Sequence, residues 1–206
     1  MPSRSDQPAW PALPYSEWRD TYQTLHLWTQ IVGKVRLALT PWMNHSWQSP
    51  LYVTARGLTT GVIPHHARAL DLEFDFVNQA LQIRTDGPQM ALPLEPMSIA
   101  DFYRRVMDAL AAVGAPVKIH AAPNELPEAT PFPEDLQPRA YDPGHARRFF
   151  QVLLRADEVL KRFRTGFLGK ASPVHFFWGG FDLAVTRFSG RSAPPHPGGI
   201  RTCRQR

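Results

Sequence analysis

The sequence predicts an α+β domain in which an antiparallel sheet of five or six strands carries three helices on one face. Three observations predict it. Residues 67–85 alternate apolar and polar side chains on both sides of a turn, as a β-hairpin does. Three segments, after Ser16, Ser98 and Asp142, repeat apolar residues at three and four, the period of a helix with one buried stripe. Finally, SPVHFFWGGFDLAVTRFSGR (Ser172 to Arg191) sets five aromatic rings among only three fully charged residues and reads as one long buried strand.

In chain order, residues 1–13 form a proline-containing lead expected to be flexible, and 14–190 form a single domain. The first helix is expected to start at Ser16 as N-cap, with Glu17 and Asp20 near its positive end. Its stripe runs Trp18, Tyr22, Leu25, Trp28 or Thr29, Val32, Val35 and Leu39, and Thr40-Pro41 closes it. His26 lies beside that stripe and reads as a packed or surface histidine. The loop PWMNHSWQSP follows, and its rings are expected to fold over the core or rim a pocket. Leu51–Gly61 alternates as one strand. Leu70, Leu72, Phe74 and Phe76 face inward against Asp71, Glu73 and Asp75, which read as a solvated face. Val77-Asn78-Gln79 turns the chain into Leu81, Ile83 and Thr85, and Asp86-Gly87-Pro88 leads to Met90–Leu94.

Ser98 to Asp101 resembles a capping box with Asp in the Glu position. Phe102, Val106, Ala109, Leu110 and Val113 supply that helix's stripe, and Gly114 stops it. Pro116–Ala121 reads as a short strand, so that Met90–Ala121 forms a β-α-β unit. The proline-rich run Pro123–Pro143 is too long for a bare loop, which predicts that it wraps the surface or covers a site. Asp142 and Pro143 then start the last helix. Its stripe is Phe149 or Phe150, Val152 or Leu153, Ala156, Leu160, Phe163 and Phe167, with Gly166 and Gly169 at its end. In the final strand Gly179-Gly180 predicts a bulge, and Phe181, Leu183 and Val185 the buried positions. Residues 191–206 have no core pattern and are expected to be a disordered basic tail.

At 206 residues, 43% hydrophobic and 20% charged, the chain has ordinary globular composition. The net charge of +5 misleads: Arg191, Arg201, Arg204 and Arg206 carry four of the charges, leaving 19 basic residues against 18 acidic ones. A nucleic-acid-binding body would show a basic face, so a nucleic-acid partner is disfavoured. The single cysteine, Cys203, cannot form an internal disulfide, and no apolar run is long enough to span a membrane. A cytoplasmic protein follows as the default. Neither a cofactor nor an oligomeric state can be read from the residues.

Phosphate-loop, dinucleotide, HExxH, GxSxG and CxxC patterns are all missing. His65-His66 start a strand on opposite faces and read as unable to share one ion, so no metal site is assigned. The candidate constellation joins the loop before the first strand to the last strand. His45, His175 and Asp182 are the candidate catalytic residues; Trp47, Arg56, Trp178 and Arg187 are the candidate ligand-binding ones. Arg56 and Arg187 would clamp an anion, His45 or His175 would act as acid or base, and Asp182 would orient one of them. The same groups equally suit a buried polar network without a ligand. Two function classes therefore stand: an enzyme or binding protein for a small anionic metabolite, and a non-catalytic interaction module using the aromatic loop and the proline-rich segment.

Four strings carry a resemblance: PALPYSEWRDTYQTLHLWTQIVGKVRLAL, PWMNHSWQSPLYVTARGLTT, YDPGHARRFF and SPVHFFWGGFDLAVTRFSGR. Through them, residues from about Trp10 to Gly199 resemble the bacterial family of unknown function DUF5996. The resemblance implies a bacterial protein and no particular activity. It also implies a further C-terminal segment with histidine, glutamate and aromatic residues. Residues 200–206, IRTCRQR from Ile200, are accordingly expected to be out of register with the family, as a shifted gene end would be.

Overall fold

The computed structural model describes residues 10–127 and 129–192; residues 1–9 of the expected 1–13 lead, Cys203 and residues 193–206 of the expected 191–206 tail lie outside them. The most deeply buried helix is α1 (Tyr15–Leu39), in which every residue from Thr24 to Val35 is buried. It begins two residues earlier than expected: Pro14 is the N-cap residue, and Ser16 lies inside the first turn without capping. Thr40, extended at φ −106° before Pro41, ends it, and its hydroxyl donates to the Arg36 carbonyl at 2.7 Å. A helix buried all round must be covered on every side.

The sheet covers one side. It comprises β1 (Tyr52–Val53), β2 (Gly57–Thr59), β3 (Ile63–His65), β4 (Arg68–Asp75), β5 (Ala80–Thr85) and β6 (Gln89–Pro93), all paired antiparallel. The order is β1-β2-β4-β5-β6, with β3 pairing the first residues of β4. The single strand expected over Leu51–Gly61 is instead the hairpin β1–β2. The Thr54 hydroxyl accepts from the backbone N–H of Arg56 and of Gly57, so this side chain closes a turn where alternation alone predicted continuity. Register places Val53, Leu58, Ile63, Leu70, Leu72, Phe74, Leu81 and Ile83 on one face.

The opposite face corrects a second expectation. Glu73 and Asp75 are buried. Arg84, from the neighbouring strand, lies across the row and donates to Glu73 at 2.6 Å and to Asp71 at 3.1 Å. Thr54 donates to Glu73 at 2.7 Å, Arg56 donates to Asp75 at 2.7 Å, and the N–H groups of Val77 and Asn78 donate to the other Asp75 oxygen. Charge pairing is what lets these carboxylates leave water.

Two more helices lie on the apolar face. In α2 (Ile99–Ala112) the Ser98 hydroxyl accepts from the Asp101 N–H at 3.0 Å, as the capping pattern predicts, and Gly114 takes φ +80° just past the end. Phe102 of α2 stacks between Trp28 of α1 and Phe74 of β4. In α3 (Pro143–Thr165) Asp142 caps through the His145 N–H at 2.7 Å. Only its first half is core: Ala146, Phe149, Phe150 and Leu153 are buried, while Phe163 of the expected stripe is 47% exposed.

No strand forms over 116–121, so the expected β-α-β unit does not exist. Val117 and Ile119 pack on the core, but Pro116 and Pro123 flank the segment without donors for a ladder. The run from 123 wraps the molecule as expected, pinned by Phe132 and Tyr141, both buried, and by the Tyr141 hydroxyl donating to Gln79 at 2.5 Å. The final stretch is a hairpin rather than one strand: β7 (His175–Phe177) pairs β8 (Asp182–Ala184) antiparallel. Gly179-Gly180 is its turn, not a bulge, because the alternation expected for one strand belongs to the two arms of a reversal. Phe176 exchanges both backbone hydrogen bonds with Leu51, at 2.9 and 2.8 Å, tying this hairpin to the start of β1. Among the described residues no helix is long and apolar enough to cross a membrane.

Candidate functional site

One face of α1 carries polar side chains inside the molecule. His26, Gln30 and Lys34 stand four residues apart, hence one above another on a helix, and all three are buried. They hold two segments that meet above them. The His26 Nε2 lies 2.7 Å from the Gly179 carbonyl. A carbonyl only accepts, so this contact is a hydrogen bond in the tautomer with the proton on Nε2, which then does not accept from the Gln30 amide nitrogen 3.1 Å away. Gln30 grips Asn124 in both directions, accepting from its N–H at 2.7 Å and donating to its carbonyl at 3.0 Å. Lys34 donates to the Asn124 side-chain oxygen at 2.7 Å, with its ammonium 5.7 Å from the Trp178 ring and 6.0 Å from the Phe132 ring. Burial pushes the Lys34 amine below its ordinary value.

Above this row the turn Trp178–Phe181 separates two clefts. The wider, about 970 Å³, lies between the α1 end, the 42–49 loop and the hairpin. Its walls include Trp42, His45, Asn124, Glu125, Trp178 and Asp182. The narrower, about 450 Å³, is lined by Tyr22, His26, Glu125, Asp135 and Arg139, among others. Glu125, Gly179 and Gly180 belong to both.

Glu125 is held with φ +58°, a left-handed conformation that is uncommon outside glycine and that clusters at functional sites. Its carboxylate lies against the glycine turn. A Cβ built on Gly179 would sit 2.7 Å from Glu125 Oε1; one built on Gly180 would sit 3.3 Å from Glu125 Oε2 and 2.6 Å from Asp182 Oδ1. The two glycines leave room for both carboxylates to lie against the turn; a Cβ at either position would push the flexible carboxylate ends outward. Sharing a neighbour that close also leaves the two carboxylate oxygens no more than ~6 Å apart. Burial of its inner side pushes the Asp182 carboxyl up, partly offset by its own backbone N–H, although the residue is open to solvent on the other side.

Three residues singled out from the sequence, His45, Trp178 and Asp182, meet in the wider cleft. His45 is exposed, at φ +60°, with Nε2 3.1 Å from the Lys170 ammonium. Trp178 donates its indole N–H to the Ser49 carbonyl at 2.9 Å. Trp47 packs on His45 and does not line the cleft. His175 is 2% exposed, behind the Phe177 ring, and burial pushes its imidazole down. The two arginines stand elsewhere: Arg56 pairs with Asp75, and the Arg187 guanidinium lies 3.5 Å over the Phe163 ring. His65 and His66, expected on opposite faces, bring their rings within 4.5 Å because His66 turns at φ +54°.

Gln30, Lys34, Asn124, Glu125 and Arg139 escaped the sequence reading, and Tyr22 was read only as part of the α1 stripe. A signal was present for part of this set: His26, Gln30 and Lys34 recur at spacing four along the apolar stripe of α1. A family model described as a family of unknown function (DUF5996) matches residues 10–206, and so includes residues 200–206, which were expected to fall out of register. No curated protein and no solved structure matches.

Proposed function

The chain belongs to DUF5996, a family of unknown function, so its role rests on its own residues, and we propose that it binds a small cationic metabolite in the cleft astride the Gly179-Gly180 turn. The observation that carries this is the convergence of the Glu125 and Asp182 carboxylates on one turn, in a cleft walled by Trp42 and Trp178. Carboxylates together with indole faces are the groups that recognise an ammonium or guanidinium. The support for an anionic ligand came from Arg56 and Arg187, and both are engaged away from the cleft. Its volume of about 970 Å³ suits a metabolite-sized ligand.

Thermal-shift titration tests the reading, with putrescine, agmatine and choline against succinate and inorganic phosphate. The cations are expected to raise Tm, the effect to weaken with salt, and Glu125→Gln with Asp182→Asn to remove it while the unliganded Tm stays put. Binding should also weaken as pH falls and the raised Asp182 carboxyl protonates. Stabilisation by the anions alone would overturn the proposal.

A second reading has its own observation. Trp42 and Leu37, both lining the same cleft, are 71% and 41% exposed, a surface that a protein partner could cover. The proline-rich run contributes less to it than expected, since Phe132 and Tyr141 are spent on the core.

A further inference from the structure

Behind the Asn124 wall of the wider cleft stands Lys34, 5% exposed, the only lysine or arginine among the described residues buried to that degree. No ion pair of the described residues includes it. The buried acids, by contrast, all have cations: Arg84 for Glu73, Arg56 for Asp75, Arg139 for Asp135 and Lys161 for Asp157. Charge pairing is thus the rule in this fold, and Lys34 is the exception. Its Nζ rests on one amide oxygen, between the rings of Trp178 and Phe132.

The choice of lysine is informative. The chain uses arginine for nearly all its cations, and its lysines are only Lys34, Lys118, Lys161 and Lys170. Arginine keeps its proton in any protein environment, whereas a buried lysine gives its proton up and becomes a nucleophile. Among the described residues, the most deeply buried cation has no counter-charge and is of the kind that can be neutral. Its one hydrogen-bond partner among the described residues, Asn124, is exposed and lines the cleft. That side chain stands between the amine and the cleft.

We infer that Lys34 is a reactive amine that captures small aldehydes or ketones entering the wider cleft, as an imine. The neutral nitrogen adds to the carbonyl carbon, the nitrogen's two protons leave with the carbonyl oxygen as water, and a C=N bond remains. The step needs no oxidant or reductant. Burial lowers the Lys34 amine, which raises its neutral fraction above that of an exposed lysine at the same pH. Lys118, Lys161 and Lys170 act as controls within the same chain, none of them buried. The inference shares the cleft with the ligand proposed above but does not depend on its acidic pair.

The full chain is incubated at neutral pH with glycolaldehyde and sodium cyanoborohydride, which reduces any imine to a stable secondary amine, and the four lysines are followed by peptide mass spectrometry. Lys34 is expected to be modified faster than the other three. Asn124→Asp places a carboxylate on the ammonium; raising the amine by even one pKa unit leaves about tenfold less neutral form, so Lys34 labelling should slow by at least about that factor while the controls keep their rates. Lys34→Met, where it folds, removes the fast site. Labelling of Lys34 no faster than the controls, or a rate indifferent to Asn124→Asp, overturns the inference. Neither outcome bears on the amine titration, which reads binding and not covalent capture.

Discussion

Gly33→Ala tests how α1 and the last hairpin fit together. A Cβ at position 33 would lie 2.2 Å from Cδ1 of Trp178 and 2.4 Å from its Cγ, well inside contact distance and close to the root of the ring. The indole cannot swing aside freely, because its N–H is committed to the Ser49 carbonyl at 2.9 Å. Alanine favours a helix interior over glycine by about 1 kcal/mol. Against that gain, crowding a packed ring costs roughly 1–3 kcal/mol and loss of the indole hydrogen bond about 1 kcal/mol. The packing side wins, leaving a net destabilisation of about 2 kcal/mol. In a chain of this size that is a fall in Tm of roughly 4–8 °C. Differential scanning fluorimetry measures it, and the tryptophan emission should shift as Trp178 leaves its seat. Gly166→Ala is the control, since a Cβ there meets nothing within 4 Å, and it should change stability by no more than about 0.5 kcal/mol. A Gly33→Ala protein as stable as the parent would refute the seating of Trp178 against α1.

Two further outcomes follow from buried charge. His175 has its imidazole lowered by burial, so below the unfolded value of about 6.5 the unfolded chain binds a proton that the folded chain refuses. Stability therefore falls as pH drops from about 6.5, and His175→Phe should flatten that part of a plot of urea midpoint against pH. Arg84→Met leaves Asp71 and Glu73 facing each other without their cation; with Arg84 a third exposed, the cost is roughly 1–3 kcal/mol rather than the full penalty of a buried pair. Urea denaturation of the single variant, and of its double with Glu73→Gln, should show part of that loss returned.

What was legible from the sequence was local chemistry. The starts at Ser98 and Asp142 were readable because a cap involves residues three apart, and the β4–β5 register because alternation fixes which side chains share a face. The hairpin at Gly179-Gly180 was not, since Phe181, Leu183 and Val185 alternate alike on a returning arm and on a continuing strand. Nor was the burial of Glu73 and Asp75, which depends on Arg84 and Arg56 lying across them. At the candidate site His45, Trp178 and Asp182 stood out as polar or aromatic groups beside loops and glycines. Glu125 did not, because its place comes from a left-handed backbone and from partners such as Gln30, 94 residues before Asn124.

The polar row on α1 accounts for how such a backbone is held. Burying His26, Gln30 and Lys34 is costly compared with apolar side chains of similar size, and a buried polar network is tolerable only when its members find partners. Their partners are not scattered. Gln30 fixes both backbone groups of Asn124, Lys34 fixes its side chain, and His26 fixes the carbonyl of Gly179. The residue before Glu125 and the turn that Glu125 faces are thus bolted to one face of one helix. A left-handed residue costs of order 1–3 kcal/mol and persists only where its surroundings over-determine it. Three anchors on a helix buried from Thr24 to Val35 are such surroundings. Stability is given up along α1, and what it secures is the position of one carboxylate between two clefts. The helix, rather than the aromatic hairpin, is therefore the frame of the site, and the hairpin is the part that the frame positions.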